Sequence, residues 1–303
     1  MRALHWLRWN DLWAEDDVVY PFAKPVDAWQ LREKREGAYM GIQKETPKYL
    51  FFDIDGTIAR NDQPPSQETT EAIRRARANG HKAFICTART ICDVYDSLFE
   101  VGFDGIIAGA GAQIIIDGKE IYHHYIPEDV LIRTVEGFYA HNFSGVLEGT
   151  DQIYFVPGEV ELTGDFPRLK GIEDVNGDLK IEKFTIHTFD HAHIWRVVRQ
   201  MPELLGWYDM YANNSGSFGE FVWKGIDKAS GIRRVTEYYG ASMEDTIAFG
   251  DSMNDAAAID AAGIGVVMGD SPEELKEMAD LITGTLEEEG IARALQKLHL
   301  TKK

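Results

Sequence analysis

Hydrophobic and polar positions follow two different rhythms along this chain. From Lys48 onward, short unbroken apolar runs alternate with amphipathic stretches. The run Tyr49-Leu50-Phe51-Phe52, ending in Asp53, reads as a strand buried on both faces, because continuous apolar runs mark parallel strands covered on two sides. Residues 66–79 read as a helix: Ser66 can cap it, Glu68 and Glu71 fall early, and Gly80 closes it. A strand over residues 82–86 comes next, then a helix over 92–101 and a short strand over 104–108. Residues 109–126 read as a hairpin with Asp117-Gly118 at its turn. The same rhythm returns after Lys224, with a helix over 226–239 closed by Gly240. Strand, short helix, strand and helix follow, and a last helix covers 288–298.

Between about residues 120 and 212 the pattern changes. Runs such as DQIYFV and EKFTIHTF sit among loops such as DVNGD. This is α+β material, expected to form a small module with an antiparallel sheet. The expected organisation is therefore a parallel α/β core from residues 47–120 and 213–303, with residues 121–212 inserted as a separate domain. Residues 1–46 stand apart. They hold Trp6, Trp9, Trp13 and Trp29 together with Pro21 and Pro25, and read either as a loosely docked extension or as an interaction arm. Met40 offers an alternative start.

Composition narrows the possibilities. The 303 residues are 44% hydrophobic and 27% charged, as in ordinary globular proteins. Fifty acidic residues against 31 basic ones give a formal charge of −19. A field of that sign repels nucleic acid and anionic lipid, and no long Lys/Arg run offsets it. Cys86 and Cys92 are too few for a disulfide framework, so a reducing cytoplasm is the expected setting. No run of eighteen apolar residues suggests a membrane span. Oligomeric state stays open between monomer and homodimer.

Candidate chemistry concentrates at the ends of the apolar runs. Asp53 and Asp55 close the first strand and can approach one pocket at the sheet edge, where open α/β folds bind ligands. Two close carboxylates need a cation, or one must hold a proton. Asp251 and Asp255 follow the strand TIAFG and add hard oxygen ligands, which favours Mg²⁺ over zinc. Thr87, at the end of the second strand, brings a hydroxyl and neighbouring N–H groups to an anion. Lys224, ahead of Gly225 and a helix, brings a point positive charge. A carboxylate nucleophile, a proton-shuttling carboxylate, a metal and a lysine together suit phosphoryl transfer.

FFDIDGTI, ICTART, Trp223-Lys224-Gly225-Ile226 and IAFGDSMNDAAAIDAAGIGVVMGDSPEELKEMAD carry a resemblance to the haloacid dehalogenase superfamily. Within it the chain resembles the Cof-like phosphatases, class IIB, whose α/β cap is inserted between the second and third motifs. The likeness covers residues 48–303 and implies a Rossmann-like, doubly wound parallel-sheet core with a smaller α+β cap. It implies a Mg²⁺-dependent phosphomonoester hydrolase of small soluble metabolites, sugar phosphates first. By this resemblance Asp53 is the nucleophile that forms an aspartyl-phosphate. Asp55 protonates the leaving alcohol, then deprotonates water, and its backbone carbonyl touches the metal. Thr87, Lys224 and Asn254 bind phosphate, Lys224 also steadies Asp53, and Gly56 and Thr57 shape the phosphate loop. Asp53, Asp55, Asp251 and Asp255 make up the metal site. A sugar phosphomutase and a non-catalytic phosphate-binding module are the alternatives. His187, His191 and His193 could be imagined as a zinc site, but satisfied or exposed cap histidines are the plainer reading, ahead of substrate contact.

Overall fold

A computed structural model describes residues 46–60, 62–161, 166–188, 194–212 and 217–302. The tryptophan-rich segment, His191 and His193 lie outside the described residues.

An eight-stranded sheet forms the core, in the order β13-β12-β11-β1-β2-β3-β4-β5. Its first strands are β1 (Tyr49–Phe52), β2 (Lys82–Cys86), β3 (Gly105–Ala108), β4 (Gln113–Ile116) and β5 (Lys119–His123). β1, β2 and β3 run parallel, whereas β3-β4-β5 is an antiparallel meander. Asp117 and Gly118 turn the last hairpin with φ of 48° and 73°, the left-handed values that a two-residue turn requires. α1 (Gln67–Ala78) links β1 to β2, and the Ser66 hydroxyl accepts from Thr69 N–H at its start, as a cap should.

The inserted module then contributes a five-stranded antiparallel sheet, β7-β6-β8-β10-β9. Its elements in chain order are α2 (Glu128–His141), β6 (Ser144–Gly149), β7 (Ile153–Val156), β8 (Ile181–His187), α3 (Ile194–Gln200), α4 (Leu204–Trp207), β9 (Tyr208–Ala212) and β10 (Phe218–Trp223). The chain then returns to the core through α5 (Lys228–Tyr239), β11 (Thr246–Gly250), α6 (Ala256–Ala261), β12 (Ile264–Val267), α7 (Glu273–Met278), β13 (Leu281–Ile282) and α8 (Gly290–Lys297).

Strand pairing moves both expected domain boundaries. β5 stays in the core sheet through His123, so a boundary at 120 would cut it. β10 pairs with β8 and β9, so the inserted sheet extends to Trp223 rather than residue 212. The helix expected over 92–101 is instead two 3₁₀ turns, Ile91–Asp93 and Asp96–Val101. Arg89 Nη1 donates to the Asp93 carbonyl, which a continuous α-helix would need for its own ladder, and Val94 is extended.

Alternation along the core strands explains their unbroken apolar character. Leu50, Phe52, Ala83, Ile85, Ile247 and Phe249 face α1 and α8; Phe51, Phe84, Cys86 and Ala248 face α5, α6 and α7. In the cap only one face is apolar. Leu147, Phe184, Ile186, Tyr208 and Phe221 pack beneath α2 and α3 with Val135, Phe138, Ile194 and Val197. A polar cluster joins cap to core: Glu182 of β8 accepts from His123 Nε2 at 3.0 Å and from Thr150 Oγ1 at 2.9 Å.

Candidate active site

β1, β2 and β11 are adjacent and parallel, so the loops after all three leave the same edge of the sheet. Asp53 follows β1, Thr87 follows β2, and Asp251 follows β11. Asp53 N–H donates to the Phe249 carbonyl, extending the ladder by one residue and fixing the carboxylate at the edge.

Two carboxylates and a lysine meet there in a buried cluster. Lys228 Nζ lies 2.7 Å from Asp53 Oδ1 and 2.6 Å from Asp255 Oδ1, with Asn254 Oδ1 at 3.3 Å. Asp255 is further held by the N–H groups of Asp251 and Ser252, each 3.1 Å from Oδ2. Thr57 Oγ1 donates to Asp251 Oδ1 at 2.9 Å. The Asp251 carboxylate sits so close over Gly56, whose φ is 85°, that a Cβ there would collide with it. Glycine in the DGT turn is therefore a requirement of both backbone conformation and space.

One ligand oxygen from each of Asp53, Asp251 and Asp255 comes within 4.8 Å of the others. Burial pushes the Asp53 carboxyl up to about 8; Lys228 opposes that shift, and repulsion from Asp255 and Asp251 adds to it. Burial and then Asp255 raise Asp251 to about 7. Lys228 is held well above the usual lysine range by its carboxylates, against the effect of burial. Three carboxylates against one ammonium leave an uncompensated negative charge in a buried place. Hard oxygen donors with excess negative charge fit a divalent cation, and these three residues are the ones that would hold it.

The structure redistributes several expected roles. Lys224 does not reach the cluster. It is exposed on the turn after β10, beside Gly225 with φ of 76°, and its N–H is tied to the Trp207 carbonyl. Lys228 takes the position instead, because α5 starts two residues later than expected. Asp227 caps the helix, its side chain accepting from Ser230 N–H while Ser230 Oγ bonds back, and this directs the next residue into the site. The sequence Asp227-Lys228-Ala229-Ser230 carries that capping signal, which would have identified the lysine.

Asp55 is also not where the spacing suggested. Asp53 is buried, but the Asp55 side chain is 49% exposed and grips Arg89 in a two-point ion pair, at 2.7 and 2.8 Å. Its carboxylate takes no part in the metal-ligating group. Arg89 also lies 2.9 Å from Asp62 Oδ1 and 3.5 Å from Asp93 Oδ2, so this guanidinium bridges a rim of three carboxylates. Its side chain had no signal beyond its place two residues after Thr87. The Thr57 hydroxyl is directed at Asp251, making it a positioning group for that carboxylate. Thr87 is buried and its Oγ1 accepts from Arg89 N–H at 3.2 Å. Cys86 is buried with its thiol pushed up by burial, and Cys92 donates to the Gly149 carbonyl, so neither thiol enters the chemistry. His187 stacks on Phe218.

Comparison with known proteins agrees with this geometry. A family model described as haloacid dehalogenase-like hydrolase matches residues 50–295. YkrA of Bacillus subtilis (strain 168) is 31% identical over 265 residues, 84% of this chain and 99% of its own length. The 5-amino-6-(5-phospho-D-ribitylamino)uracil phosphatase YcsE of the same organism is 30% identical over 271 residues, 85% of this chain and 98% of its own. Among solved structures, the subclass IIB sugar phosphatase BT4131 superposes with a TM-score of 0.71 at 25% identity, covering 84% of this chain and 99% of its own.

Proposed function

The chain belongs to the haloacid dehalogenase-like hydrolases and is a phosphoric monoester hydrolase of that type; from this premise we propose that it is a Mg²⁺-dependent phosphatase of small metabolites, sugar phosphates first, acting through an aspartyl-phosphate on Asp53. The observation that carries the reading is the buried Asp53–Lys228–Asp255 cluster with Asp251 beside it.

Lys228 engages Asp53 Oδ1, which leaves Oδ2 to attack the phosphorus of the ester. The P–O bond to the alcohol breaks as the bond to Asp53 forms. Asp55 gives the leaving alcohol its proton, and its carboxyl must come away from the Arg89 guanidinium to reach that oxygen. Asp55, now ionised, then takes a proton from the water that opens the aspartyl-phosphate. Lys228, Thr87 and Asn254 supply positive charge and hydrogen bonds for the phosphoryl oxygens. A divalent cation held by Asp53, Asp251 and Asp255 would offset the charge of an incoming phosphate dianion. In a protein of formal charge −19 that offset is a condition for binding at all.

Sugar phosphates are favoured by likeness to BT4131, named a sugar phosphatase, and to YcsE, named for a phosphorylated ribityl compound. Among the described residues no helix is long and apolar enough to cross a membrane. Unpaired Cys86 and Cys92 suit a cytoplasmic setting. The test is phosphate release from a panel of phosphorylated metabolites with Mg²⁺ and no bisphosphate activator. Asp53→Asn should lower turnover by about 10⁴-fold or more; undiminished release would overturn the mechanism. Release only with a bisphosphate activator would favour a phosphomutase.

A further inference from the structure

Cap and core share a buried junction around Glu182. This residue opens β8 beside Ile181, whose carbonyl accepts the Ile126 N–H from the linker into the cap. The Glu182 side chain is wholly buried, and its Oε1 is taken by His123 Nε2 and Thr150 Oγ1. On the other side of the ring, His123 Nδ1 lies 2.7 Å from Glu120 Oε2 and 2.9 Å from the Tyr125 hydroxyl. Gln113 Nε2 donates to the same Glu120 oxygen. The imidazole thus bridges a core carboxylate and a cap carboxylate. Burial pulls His123 down, but Glu182 and Glu120 outweigh it and leave the ring raised above the usual histidine range. The neighbouring groups do not supply a competing cation: His124 is lowered by burial, Arg234 and His123, and Tyr125 is raised by burial and feels Glu120, Glu182 and Asp151. Lys180 lies over the Tyr125 ring, 5.6 Å from its centre. Cys92, raised by burial, also feels Glu182.

The second oxygen of Glu182 has no hydrogen-bond partner, although it is buried. It rests on Gly109, where a Cβ would lie 2.3 Å from it. Gly109 begins a turn of three successive left-handed residues: φ is 57° at Gly109, 55° at Ala110 and 108° at Gly111. That conformation is uncommon for an alanine, so the surroundings must impose it. Those surroundings belong to the active site. Gly109 N–H donates to the Arg89 carbonyl at 2.7 Å, and Ala110 N–H donates to the Thr87 carbonyl at 3.0 Å. Gly111 packs so closely on Asp227 that a Cβ would lie 2.4 Å from its carbonyl oxygen. Asp227 caps α5, the helix that brings Lys228 to Asp53. One turn therefore bears a cap carboxylate on one side and the supports of Thr87 and Lys228 on the other.

We propose that Glu182 is a positioning residue for phosphoryl transfer: held by His123, it fixes the Gly109-Ala110-Gly111 turn and, through that turn, the Thr87 loop and the start of α5. The proposal rests on the phosphatase reading above and adds to it a cap residue that acts through the core backbone. A hydrogen bond between charged groups is stronger than one between neutral groups, so the proton on His123 sets how firmly Glu182 is held. Because the folded imidazole is raised, the charged pair is complete below the ordinary histidine value and is lost as pH rises through the folded one.

The first test follows the intact protein by NMR as pH is varied. The His123 imidazole should titrate with a midpoint above the ordinary value of about 6.5, and the Ala110 N–H resonance should move with that same midpoint. An Ala110 resonance indifferent to His123 would overturn the proposal, and so would one that keeps this transition in His123→Gln. The second test is a double-mutant cycle in kcat on p-nitrophenyl phosphate. Gly109→Ala puts a methyl group where the carboxylate rests, and Glu182→Gln removes its charge. Each should lower kcat of the folded protein by about tenfold, and the double variant by about the same tenfold, since both break one contact. Single losses below about twofold, or a double loss near about a hundredfold, would overturn the proposal. The titration of the intact protein decides the matter even where a variant does not fold. Failure of the intact protein to hydrolyse any phosphate ester would overturn the phosphatase reading itself, whereas the titration needs no turnover and tests the coupling separately.

Discussion

The core and the cap each bury a lysine between two carboxylates, yet the two clusters differ in what they lack. Around Lys228 a third carboxylate, Asp251, completes a set of ligand oxygens within 4.8 Å of one another. Around Lys183, among the described residues, two carboxylates pair with the ammonium, those of Glu148 and Glu220. One additional carboxylate at close range thus separates a cluster with ligand oxygens for a cation from a buried ion-pair triad. Their scaffolds differ too. The core cluster hangs on loops at strand ends, where backbone N–H groups of Asp251 and Ser252 pin Asp255. The cap cluster sits in mid-strand and is pinned by register.

The largest expected separation between them is kinetic. Lys228→Met should lower kcat by about 10²- to 10³-fold, the usual cost of losing a charge aimed at the reacting group. A steady-state assay on any accepted phosphate ester reads it; a loss below tenfold would remove Lys228 from the chemistry. Lys183→Met tests the cap cluster through stability. Breaking a buried ion pair from one side leaves uncompensated charge, so unfolding should cost about 3–5 kcal/mol less than in the parent protein, measured by denaturant titration. A change under 1 kcal/mol would mean that water reaches the two glutamates freely.

A third expected effect distinguishes the clusters by their response to metal and pH. Asp53 and Asp251 have folded values raised to about 8 and about 7. In an unfolded chain an aspartate titrates near 4. The folded state therefore holds more protons across the interval between, and the metal-free protein should lose stability as pH rises from about 4 to 8. Mg²⁺ binding to the ionised carboxylates should reverse the loss, giving a Tm increase at pH 8 that shrinks towards pH 5. Equal Tm increases at both pH values would contradict the raised values. The smallest effect belongs to Lys224→Ala: exposed and outside both clusters, it should shift stability by less than about 0.5 kcal/mol.

Legibility in the sequence followed the same division. The run Tyr49–Phe52 into Asp53, the strand into Asp251, and the Asp117-Gly118 turn were readable because each depends on neighbours in the chain. The misassigned lysine had a local remedy in the Asp227 cap, but Trp223-Lys224-Gly225 drew attention to the wrong turn. The cap boundary failed for a different reason: β10 reads as apolar strand whichever sheet it joins. Glu148 and Glu220 had no signal at all, since their partner comes from β8, 35 and 37 residues away in sequence.

The sequence by itself determined the α/β core, the inserted module and the aspartates at the strand ends. Chain-local physics suffices there: strand period, caps, turns, and the placement of loops at one edge of a parallel sheet. Tertiary structure alone decided that Asp55 rests on Arg89 and that Lys183 joins Glu148 and Glu220 on one face of the cap sheet. Those outcomes depend on side-chain reach and strand register between distant segments, where a shift of one residue turns a side chain from one face to the other.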